Sequence, residues 1–427
     1  MQESWDVIVV GAGPAGLTAA ARAAERGRRT VLLEKNRKVG VKILMSGGTR
    51  CNLTHATDAA GIIAAFGRPA RFLHSALAAL GPDDVVRLFA AEGVPTRVEP
   101  DTGKVFPLSD RAQDVQQALL RRAARAACHL NLGTPVQAIE RRVDCLAVLT
   151  ADGWTTAARL IVTTGGRSYP GCGTTGDAYP WLSALGHTIV TPRPALVPVT
   201  SDAAWVAELR GISLPDTVVR VLPRATLAAL AEPAERLAVA RKRLLAERRG
   251  ALLLTHFGLS GPAVMDVSRA ITDHENPRDL DLVCDLLPNR SFDELEAALA
   301  RQCAEHGSRS LVHLLPPELP QRLGEAVLAQ GNLPRDQRAA ELDKPARRRL
   351  AGLLKSLSIP VSGTCGFDKA EVTAGGVALA EIDSRTMESK LVPGLFVAGE
   401  LLDLDGPIGG YNFQAAFSSG WLAGQHA

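Results

Sequence analysis

The stretch WDVIVVGAGPAGLTAAARAAERGRRTVLLEK, residues 5–35, predicts a strand, a glycine turn, a helix and a second strand. Its three glycines, Gly11, Gly13 and Gly16, follow the first apolar run directly. The second apolar run ends at Glu34, about twenty residues after the first glycine, which is the spacing of a dinucleotide-binding unit. A glycine turn that binds nothing is the alternative, and this complete context disfavours it.

Each residue type in this unit meets a physical requirement. Gly11 lets the chain turn off the strand, Gly13 lets a pyrophosphate approach the backbone, and Gly16 lets the helix pack close to the sheet. Ala15 lies in the same first helical turn, where free N–H groups attract phosphate. Glu34 can accept hydrogen bonds from the two hydroxyls of a ribose.

Composition limits the classes of protein to consider. A chain of 427 residues predicts two or three domains, and a net charge of +3 gives no reason to expect a nucleic-acid partner. Seven scattered cysteines without a C-x-x-C pair argue against a disulfide scaffold, and we expect no metal site. The absence of a signal peptide or a long apolar run favours a cytoplasmic protein.

Changes of pattern along the chain predict an α/β protein with a discontinuous nucleotide-binding domain. Residues 1–192 form its first part, with helical segments to about residue 127 and a small antiparallel meander after it. Residues 193–290 predict an inserted β-rich module and residues 291–361 an inserted helical module. Residues 362–427 predict a strand and a terminal helix that rejoin the first sheet.

The C-terminal segment supplies further candidate cofactor contacts. Flavin enzymes of the glutathione-reductase type bind FAD along its length, so a second cluster of contacts is expected far from the first glycine turn. Glu400, after Gly399, is placed to bind hydroxyl groups of FAD. The start of the last helix can direct N–H groups to the flavin N1 and C2 carbonyl, through Gly409, Gly410, Tyr411 and Asn412. A merely flexible glycine loop is the alternative.

A second segment, GCGTTG at residues 171–176, also fits the G-x-G-x-x-G pattern. It follows a Tyr-Pro pair instead of a strand, and no acidic strand end lies at the required distance. We therefore expect no separate nicotinamide domain, so NAD(P)H would act as a transient electron donor or the substrate itself would reduce the flavin.

Four side chains are candidates for chemistry, each with a plainer interpretation. His256 follows a buried strand and can serve as an acid or base, or simply lie in a domain interface. Arg50 can pair with an anionic group or lie at the surface. Cys51 and Cys172 are interpreted as free structural thiols. The basic stretches at residues 235–250 and 343–357 are interpreted as solvated helix faces, with RNA contact as the alternative.

Taken together, the blocks resemble the BaiN/YhiN-like flavoproteins, a bacterial family that includes aminoacetone-oxidase-like members. The resemblance is carried along the chain by GAGPAG at 11–16, KILMSGGTRCNLTH at 42–55, GKVFPLSDRAQDV at 103–115, TTGGRSYPGCGTTGDAYPWLSALGH at 163–187, LTHFGLSGPAVM at 254–265, VTAGGV at 372–377 and GLFVAGELLDLDGPIGGYNFQAAFSSG at 394–420. It implies a glutathione-reductase-type Rossmann FAD domain, interrupted by an inserted β-barrel and a helical module.

The resemblance also implies which residues surround FAD. They are Gly13, Glu34, Lys35, Lys42, Ser46, Gly47, Asn52, Val136, Gly165, Glu400, Gly410 and Asn412, with the backbone of Val136 facing adenine. Cys172 departs from the expected pattern, where a methionine, a threonine or a similar residue would stand.

The expected function is that of a FAD-dependent oxidoreductase that transfers a hydride at flavin N5 to or from a small molecule. The substrate is an amine for an oxidase, or a conjugated ketone for an NAD(P)H-driven reductase. A flavin-dependent RNA-modifying enzyme and a non-catalytic flavin-fold binding protein are the alternatives. Substrate identity and oligomeric state stay open at this point.

Overall fold

A parallel sheet that takes strands from both ends of the chain organises the first of two units in the computed structural model, which describes residues 4–228 and 243–427. The first unit runs through Pro194 and resumes at Glu371, and the second comprises Ala195–Ala370. The sequence analysis placed these limits after residue 192 and before residue 362. Part of the basic stretch at 235–250, namely residues 235–242, lies outside the described residues.

The main sheet of the first unit has a parallel centre and an antiparallel edge. Its strands are β1 (Ser4–Val10), β2 (Thr30–Glu34), β6 (His129–Leu132), β7 (Ala138–Arg141), β8 (Leu146–Thr150), β9 (Gly153–Val162) and β19 (Leu395–Val397). Strand β1 pairs in parallel with β2 and β9, β6 pairs with β2, and β19 pairs with β9. The predicted meander is confirmed as the antiparallel β7, β8 and β9.

The centre of this sheet is apolar on both faces. Val7, Ile8 and Val9 of β1 are completely buried, as is typical of the central strands of a parallel sheet. The helices of this unit are α1 (Pro14–Glu25), α2 (Val41–Met45), α3 (Ala59–Phe66), α4 (His74–Ala79), α5 (Pro82–Ala91), α6 (Ala112–Arg125), α7 (Ala178–Ala184) and α14 (Tyr411–His426). The α/β class predicted from the sequence is confirmed.

Two smaller sheets complete the first unit. One joins β3 (Thr54–His55), β5 (Lys104–Pro107) and β4 (Thr96–Val98), and the other joins β10 (Ile189–Ala195) and β18 (Val372–Val377). The helical segments predicted up to about residue 127 are present, but three short strands that were not predicted lie among them. Strands of two to four residues are too short to produce a visible alternation of apolar and polar residues.

The second unit combines a seven-stranded sheet and several helices around one hydrophobic core. The strands are β11 (Val199–Thr200), β12 (Ser213–Pro223), β13 (Ala246–Thr255), β14 (Gly258–Ser260), β15 (Leu280–Asp285), β16 (Leu357–Pro360) and β17 (Gly363–Thr364). The helices are α8 (Ala204–Glu208), α9 (Arg224–Ala228), α10 (Pro262–Thr272), α11 (Phe292–Glu305), α12 (Gln321–Gln330) and α13 (Lys344–Lys355). One apolar cluster includes residues of the sheet and of α11, α12 and α13, so the β-rich and helical modules share a core.

Helix starts in the second unit match the sequence signals. Gly261 precedes α10 and Pro262 occupies its first turn, a position that favours proline. The Ser291 side chain and Glu294 form a capping box at the start of α11. Within the described ranges, no helix combines the length and the apolar character that crossing a membrane requires.

Candidate FAD site

The glycine turn after β1 has the geometry expected of a nucleotide-binding loop. Gly11 has φ of +99°, and a Cβ there would lie 2.7 Å from the Thr163 carbonyl oxygen. A Cβ on Gly16 would lie 1.8 Å from the Gly11 oxygen. A Cβ on Gly13, in contrast, would meet nothing within 4 Å. The fold itself requires the first and third glycines, whereas the middle one leaves room for a ligand.

Helix α1 begins at this turn with its backbone donors uncapped. Gly13 precedes it without a side-chain cap, Pro14 occupies the first turn, and no acidic residue lies in that turn. The first N–H groups of a helix, here including those of Ala15 and Gly16, have no acceptor within the helix. Together with the helix dipole they make a site for an anion such as a pyrophosphate.

Glu34 is the last residue of β2, and its carboxylate is hydrogen-bonded to the glycine turn. The Ala12 N–H donates to its Oε2 at 2.7 Å, and the Asn36 N–H donates to its Oε1 at 2.9 Å. The residue is only 8% exposed. A carboxylate has about four lone-pair positions, so Glu34 keeps capacity to accept from ribose hydroxyls.

A buried hydroxyl next to the turn has no partner among the described residues. Thr164 follows β9, and its Oγ1 is buried without a hydrogen bond. A Cβ on Gly11 would lie 2.9 Å from the Thr164 Cα, so the two residues are neighbours. Gly165 has φ of +75°. The unsatisfied hydroxyl, the space at Gly13 and the carboxylate of Glu34 fit a bound dinucleotide, because buried polar groups are rarely left unpaired.

A charged cluster lies after the C-terminal strand β19. Lys42 Nζ donates to Glu400 Oε2 at 2.6 Å and to Ser168 Oγ at 2.7 Å. The Glu400 Oε1 atom accepts from the Ser168 hydroxyl and from the Thr373 N–H at 3.1 Å. Lys42 and Glu400, two residues predicted to bind FAD, therefore lie together. The sequence analysis missed Ser168 and Thr373, although both lie within blocks that carry the resemblance.

The two ends of the chain pack directly against each other. A Cβ on Gly399 would lie 2.9 Å from the Ala15 Cβ. Along α14, a Cβ on Gly420 or on Gly424 would lie 2.3 Å from the carbonyl oxygen of Ala15 or Ala19, respectively. These glycines allow α14 to lie against α1, so the C-terminal segment joins the glycine turn as predicted.

The start of α14 is tied to the loop that precedes β3. In the amide orientation that satisfies both its atoms, Asn52 accepts from the Gly410 N–H at 2.8 Å and donates to the Thr54 oxygen at 2.9 Å. His55 Nδ1 lies 3.1 Å from the Gly409 oxygen, and its ring stacks on Tyr411 at 4.7 Å. The Gly410 N–H therefore already has an acceptor within the protein.

The side chain of Asn412 has a similar internal role. It accepts from the Gly406 N–H at 2.8 Å and donates to the Gly406 oxygen at 2.9 Å, which fixes the glycine-rich loop before the helix. The N–H groups of Asn412 and Phe413 lie in the first turn, where a helix offers no acceptor. Among the N–H groups predicted to face the flavin N1 and C2 carbonyl, that of Asn412 therefore has no acceptor inside the helix, and its contact with the flavin stays a prediction.

Comparison with known proteins identifies the family. The sequence model described as "HI0933-like protein Rossmann domain" matches residues 5–426. The chain belongs to the HI0933-like family. Its members are FAD-dependent oxidoreductases, so the resemblance to the BaiN/YhiN-like flavoproteins, the Rossmann-type FAD fold and the enzyme class are confirmed.

Three relatives cover almost the full length of this HI0933-like chain. A ribosomal RNA dihydrouridine synthase of Escherichia coli is 33% identical over 99% of the chain and 98% of its own length. A protein of the same name from Haemophilus influenzae is 32% identical over 99% and 98%. A 3-dehydro-bile acid delta(4,6)-reductase of Clostridium scindens is 30% identical over 98% of each.

Lys35 and the GCGTTG segment lie together at the end of β2. Lys35 Nζ contacts Asp177 Oδ2 at 2.5 Å and Thr175 Oγ1 at 2.6 Å. Asn36 Nδ2 donates to the Cys172 oxygen at 3.0 Å. The segment starts in a 3-10 turn and not after a strand, in line with the argument against a second dinucleotide site. Asn36 is another residue that the sequence analysis missed.

The loop after α2 contains two further residues predicted to bind FAD, Ser46 and Gly47. Ser46 ends α2, and its Oγ donates to the Ile43 oxygen at 2.9 Å. Gly47 has φ of +56°, and a Cβ there would lie 3.0 Å from the Asn52 nitrogen. Val136, another predicted FAD residue, is half-buried before β7, and the nearby Thr134 N–H donates to the main-chain carbonyl oxygen of Glu34 at 2.9 Å. The FAD contacts of these residues stay predictions.

Burial disfavours the thiolate form of Cys51 and Cys172, the two cysteines considered above. Burial raises the pKa of Cys51 to about 12. Burial also raises the pKa of Cys172, and the positive charge of Lys42 offsets part of that rise. The Cys172 sulfur lies 3.0 Å from the Met45 sulfur. All seven cysteines are free, and within the described ranges no group of three or more potential metal ligands occurs.

His256 belongs to the second unit. It lies exposed in the turn between β13 and β14, where its ring meets Phe257 edge-on at 5.0 Å. Its catalytic role stays a prediction.

Proposed function

We propose that this chain is a FAD-dependent reductase that saturates a carbon–carbon double bond conjugated to a carbonyl group, and that its substrate is a uridine in ribosomal RNA. The observation that carries this proposal is 33% identity, over 99% of the chain, to a ribosomal RNA dihydrouridine synthase. RNA, the alternative substrate of the sequence analysis, therefore becomes the preferred one.

The named reactions of the three relatives share one chemical step. Dihydrouridine is uridine reduced at the C5–C6 bond, which is conjugated to the C4 carbonyl. A delta(4,6)-reductase of a 3-dehydro-bile acid likewise reduces double bonds conjugated to a ketone. Both names describe reductions, which favours a reductase over the amine oxidase. The non-catalytic alternative is not kept, because the family consists of oxidoreductases.

Residues of the first unit would hold FAD. The pyrophosphate would bind the N–H groups at the start of α1 beside Gly13, and Glu34 would accept from ribose hydroxyls. Lys42 and Glu400 would contact the central part of the cofactor. Bound FAD, once reduced by a two-electron donor such as a nicotinamide, supplies a hydride to the substrate double bond. The start of α14 stabilises negative charge on the flavin side of the site.

Several described cations of the two basic stretches have acidic partners within the second unit. On α13, Arg347 lies 3.5 Å from Glu296, and Lys355 lies 2.7 Å from Asp285. On β13, Arg249 lies 2.6 Å from Asp216. We therefore expect the RNA to make few phosphate contacts with these stretches, and its affinity to fall only gently with salt concentration.

The test uses purified holoprotein, photoreduced without oxygen and mixed with unmodified ribosomal RNA made by in vitro transcription. We expect the flavin absorbance to return and one uridine to gain the mass of two hydrogens by mass spectrometry of nuclease fragments. A protein-free flavin solution is the control. Rapid flavin oxidation by a conjugated ketone such as cyclohexenone, with no change in the RNA, would instead support the small-molecule reductase.

A further inference from the structure

A strained loop presents Arg50 next to the candidate FAD site. Its neighbours Thr49 and Cys51 have φ of +70° and +62°, a region that non-glycine residues rarely occupy. The conformation is held by the Cys51 N–H, which donates to the Ser46 oxygen at 3.1 Å, and by the Ala112 N–H, which donates to the Thr49 oxygen at 2.9 Å. Such strain persists only where surrounding structure enforces it, and it clusters at functional sites.

Neighbouring groups hold the Arg50 side chain in place, but several of its N–H donors stay available. Its guanidinium lies 4.0 Å above the Phe106 ring, and Nε donates to the Gly47 oxygen at 3.3 Å. The contact of Nη1 with Glu99 is long, at 3.5 Å, and the side chain is 37% exposed. A guanidinium has five N–H donors, so several stay available for another oxygen.

Arg97 lies on strand β4 of the small sheet that also contains Phe106, and it provides a contrast. Its Nη2 donates to both carboxylate oxygens of Asp110, at 2.8 and 2.9 Å. With 34% exposure it is about as accessible as Arg50, but it has a close charged partner. Arg97 is therefore a matched control for Arg50.

The loop that holds Arg50 is joined to the start of α14. Two residues after Arg50, Asn52 accepts from the Gly410 N–H at 2.8 Å. A Cβ on Gly47 would lie 3.0 Å from the nitrogen of Asn52, so the loop is closely packed onto this connection. The helix start is where we predict the N1 and C2 carbonyl of the flavin, so Arg50 belongs to the surroundings of the reacting ring.

We propose that Arg50 binds the carbonyl oxygen of the substrate and stabilises the negative charge that forms there during reduction. This inference rests on the proposed function. Reduced FAD gives a hydride to the carbon β to the carbonyl, the C=C π bond breaks, and its electron pair moves to the carbonyl oxygen. A proton from solvent then adds to the α carbon, so the substrate gains two electrons and two hydrogens while FAD is oxidised.

The main test compares Arg50→Met, Arg50→Lys and Arg97→Met with the wild-type protein. Each photoreduced holoprotein is mixed without oxygen with the ribosomal RNA transcript and, separately, with cyclohexenone, a neutral conjugated ketone. Loss of a donor to a developing oxyanion lowers kcat by about 10²–10³-fold. We expect a decrease of this size in the limiting rate of flavin oxidation for Arg50→Met, a smaller one for Arg50→Lys, and a change below about threefold for Arg97→Met.

The split between kcat and KM separates two sources of the anionic oxygen. A carbonyl contact lowers kcat for every probe that the wild-type protein reduces. If Arg50→Met raises only the KM for RNA and leaves the rate with cyclohexenone unchanged, Arg50 binds a phosphate and the proposal is wrong. Flavin content and thermal unfolding of each variant show whether it has folded.

A second measurement does not depend on turnover. Sulfite binds reversibly at N5 of oxidised flavins and bleaches their absorbance, so it places an anion where the substrate would lie. We expect Arg50→Met to weaken sulfite binding by about tenfold or more, and Arg97→Met to leave it unchanged. Equal sulfite affinity in Arg50→Met and the wild-type protein would overturn the role of Arg50. If the wild-type protein reduces neither probe, the proposed function fails. The sulfite comparison still tests whether Arg50 binds an anion beside the flavin.

Discussion

Two lysine–carboxylate pairs, one in each unit, differ in their exposure to solvent. In the first unit, Lys42 and Glu400 form a pair at 2.6 Å in which both side chains are partly exposed, at 24% and 20%. In the second unit, Lys355 and Asp285 form an ion pair that is only 7% and 8% exposed. Charges that face open space can serve a ligand, whereas charges closed off from water serve the fold. The pair in the first unit is therefore the better candidate for contact with a ligand.

The largest effect on stability is expected from Lys355→Met. Its Nζ binds Asp285 at 2.7 Å and also donates to the Leu287 oxygen at 2.9 Å. Removing one member of a buried pair leaves an uncompensated charge, which costs about 3–5 kcal/mol. We expect the free energy of unfolding, measured with urea, to fall by about that amount. Arg249→Met, at an exposed pair, should cost at most about 1 kcal/mol. Equal costs would remove the contrast between buried and exposed pairs.

Gly16→Ala and Gly13→Ala separate packing from cofactor binding. The new methyl group at Gly16 would collide with the Gly11 oxygen, so we expect the free energy of unfolding of the apoprotein to fall by about 1–3 kcal/mol or more. At Gly13 the methyl group meets no protein atom. Gly13→Ala should therefore leave the apoprotein stable and raise the Kd for FAD, measured by quenching of flavin fluorescence. An unchanged FAD affinity in Gly13→Ala would contradict the predicted approach of the pyrophosphate.

Lys42→Met tests whether the charged cluster serves the cofactor. Hydrogen bonds to charged groups contribute about 1.5–3 kcal/mol, so we expect the Kd for FAD to rise by about 10- to 100-fold. Lys38→Met is the control, because Lys38 is exposed on the loop after β2. It should change the Kd by less than about twofold, which corresponds to about 0.4 kcal/mol. If both variants bind FAD like the wild-type protein, the cluster is structural.

The smallest effect is expected from the titration of Cys51. Its folded pKa of about 12 lies above the ordinary value of 9.0, so the unfolded chain loses the thiol proton first as pH rises. The folded protein then binds more protons than the unfolded one, and stability falls between these two pKa values. At pH 10 we expect the thiol to cost about 1.4 kcal/mol relative to pH 7. Cys51→Ala should lose that much less stability over this interval in urea unfolding, and an identical loss would contradict it.

The sequence predicted the features that depend on neighbouring residues. Gly11, Gly13 and Gly16 meet local requirements of a turn and a helix start, and Glu34 follows at a fixed distance. The contacts that complete the site join distant parts of the chain. Nothing local at Asn52 indicates that it accepts from Gly410.

Long-range pairing also explains what the sequence analysis missed. Ser168 and Thr373 both bind Glu400, but each is an ordinary polar residue in its own segment. Short strands such as β3 and β4 were overlooked for a related reason, because their hydrogen bonds depend on β5 and not on a repeating pattern. The family resemblance indicated which blocks matter without indicating these contacts.

The pairing of β19 with β9, and of α14 with α1, has a consequence for synthesis. Residues 195–370 are continuous, so the second unit can fold while translation is still in progress. The parallel sheet of the first unit must wait for Leu395–Val397 to reach β9. A nascent chain would therefore complete its nucleotide site only after Leu395–Val397 and α14 have been synthesised, and until then the edge of β9 would be left unpaired.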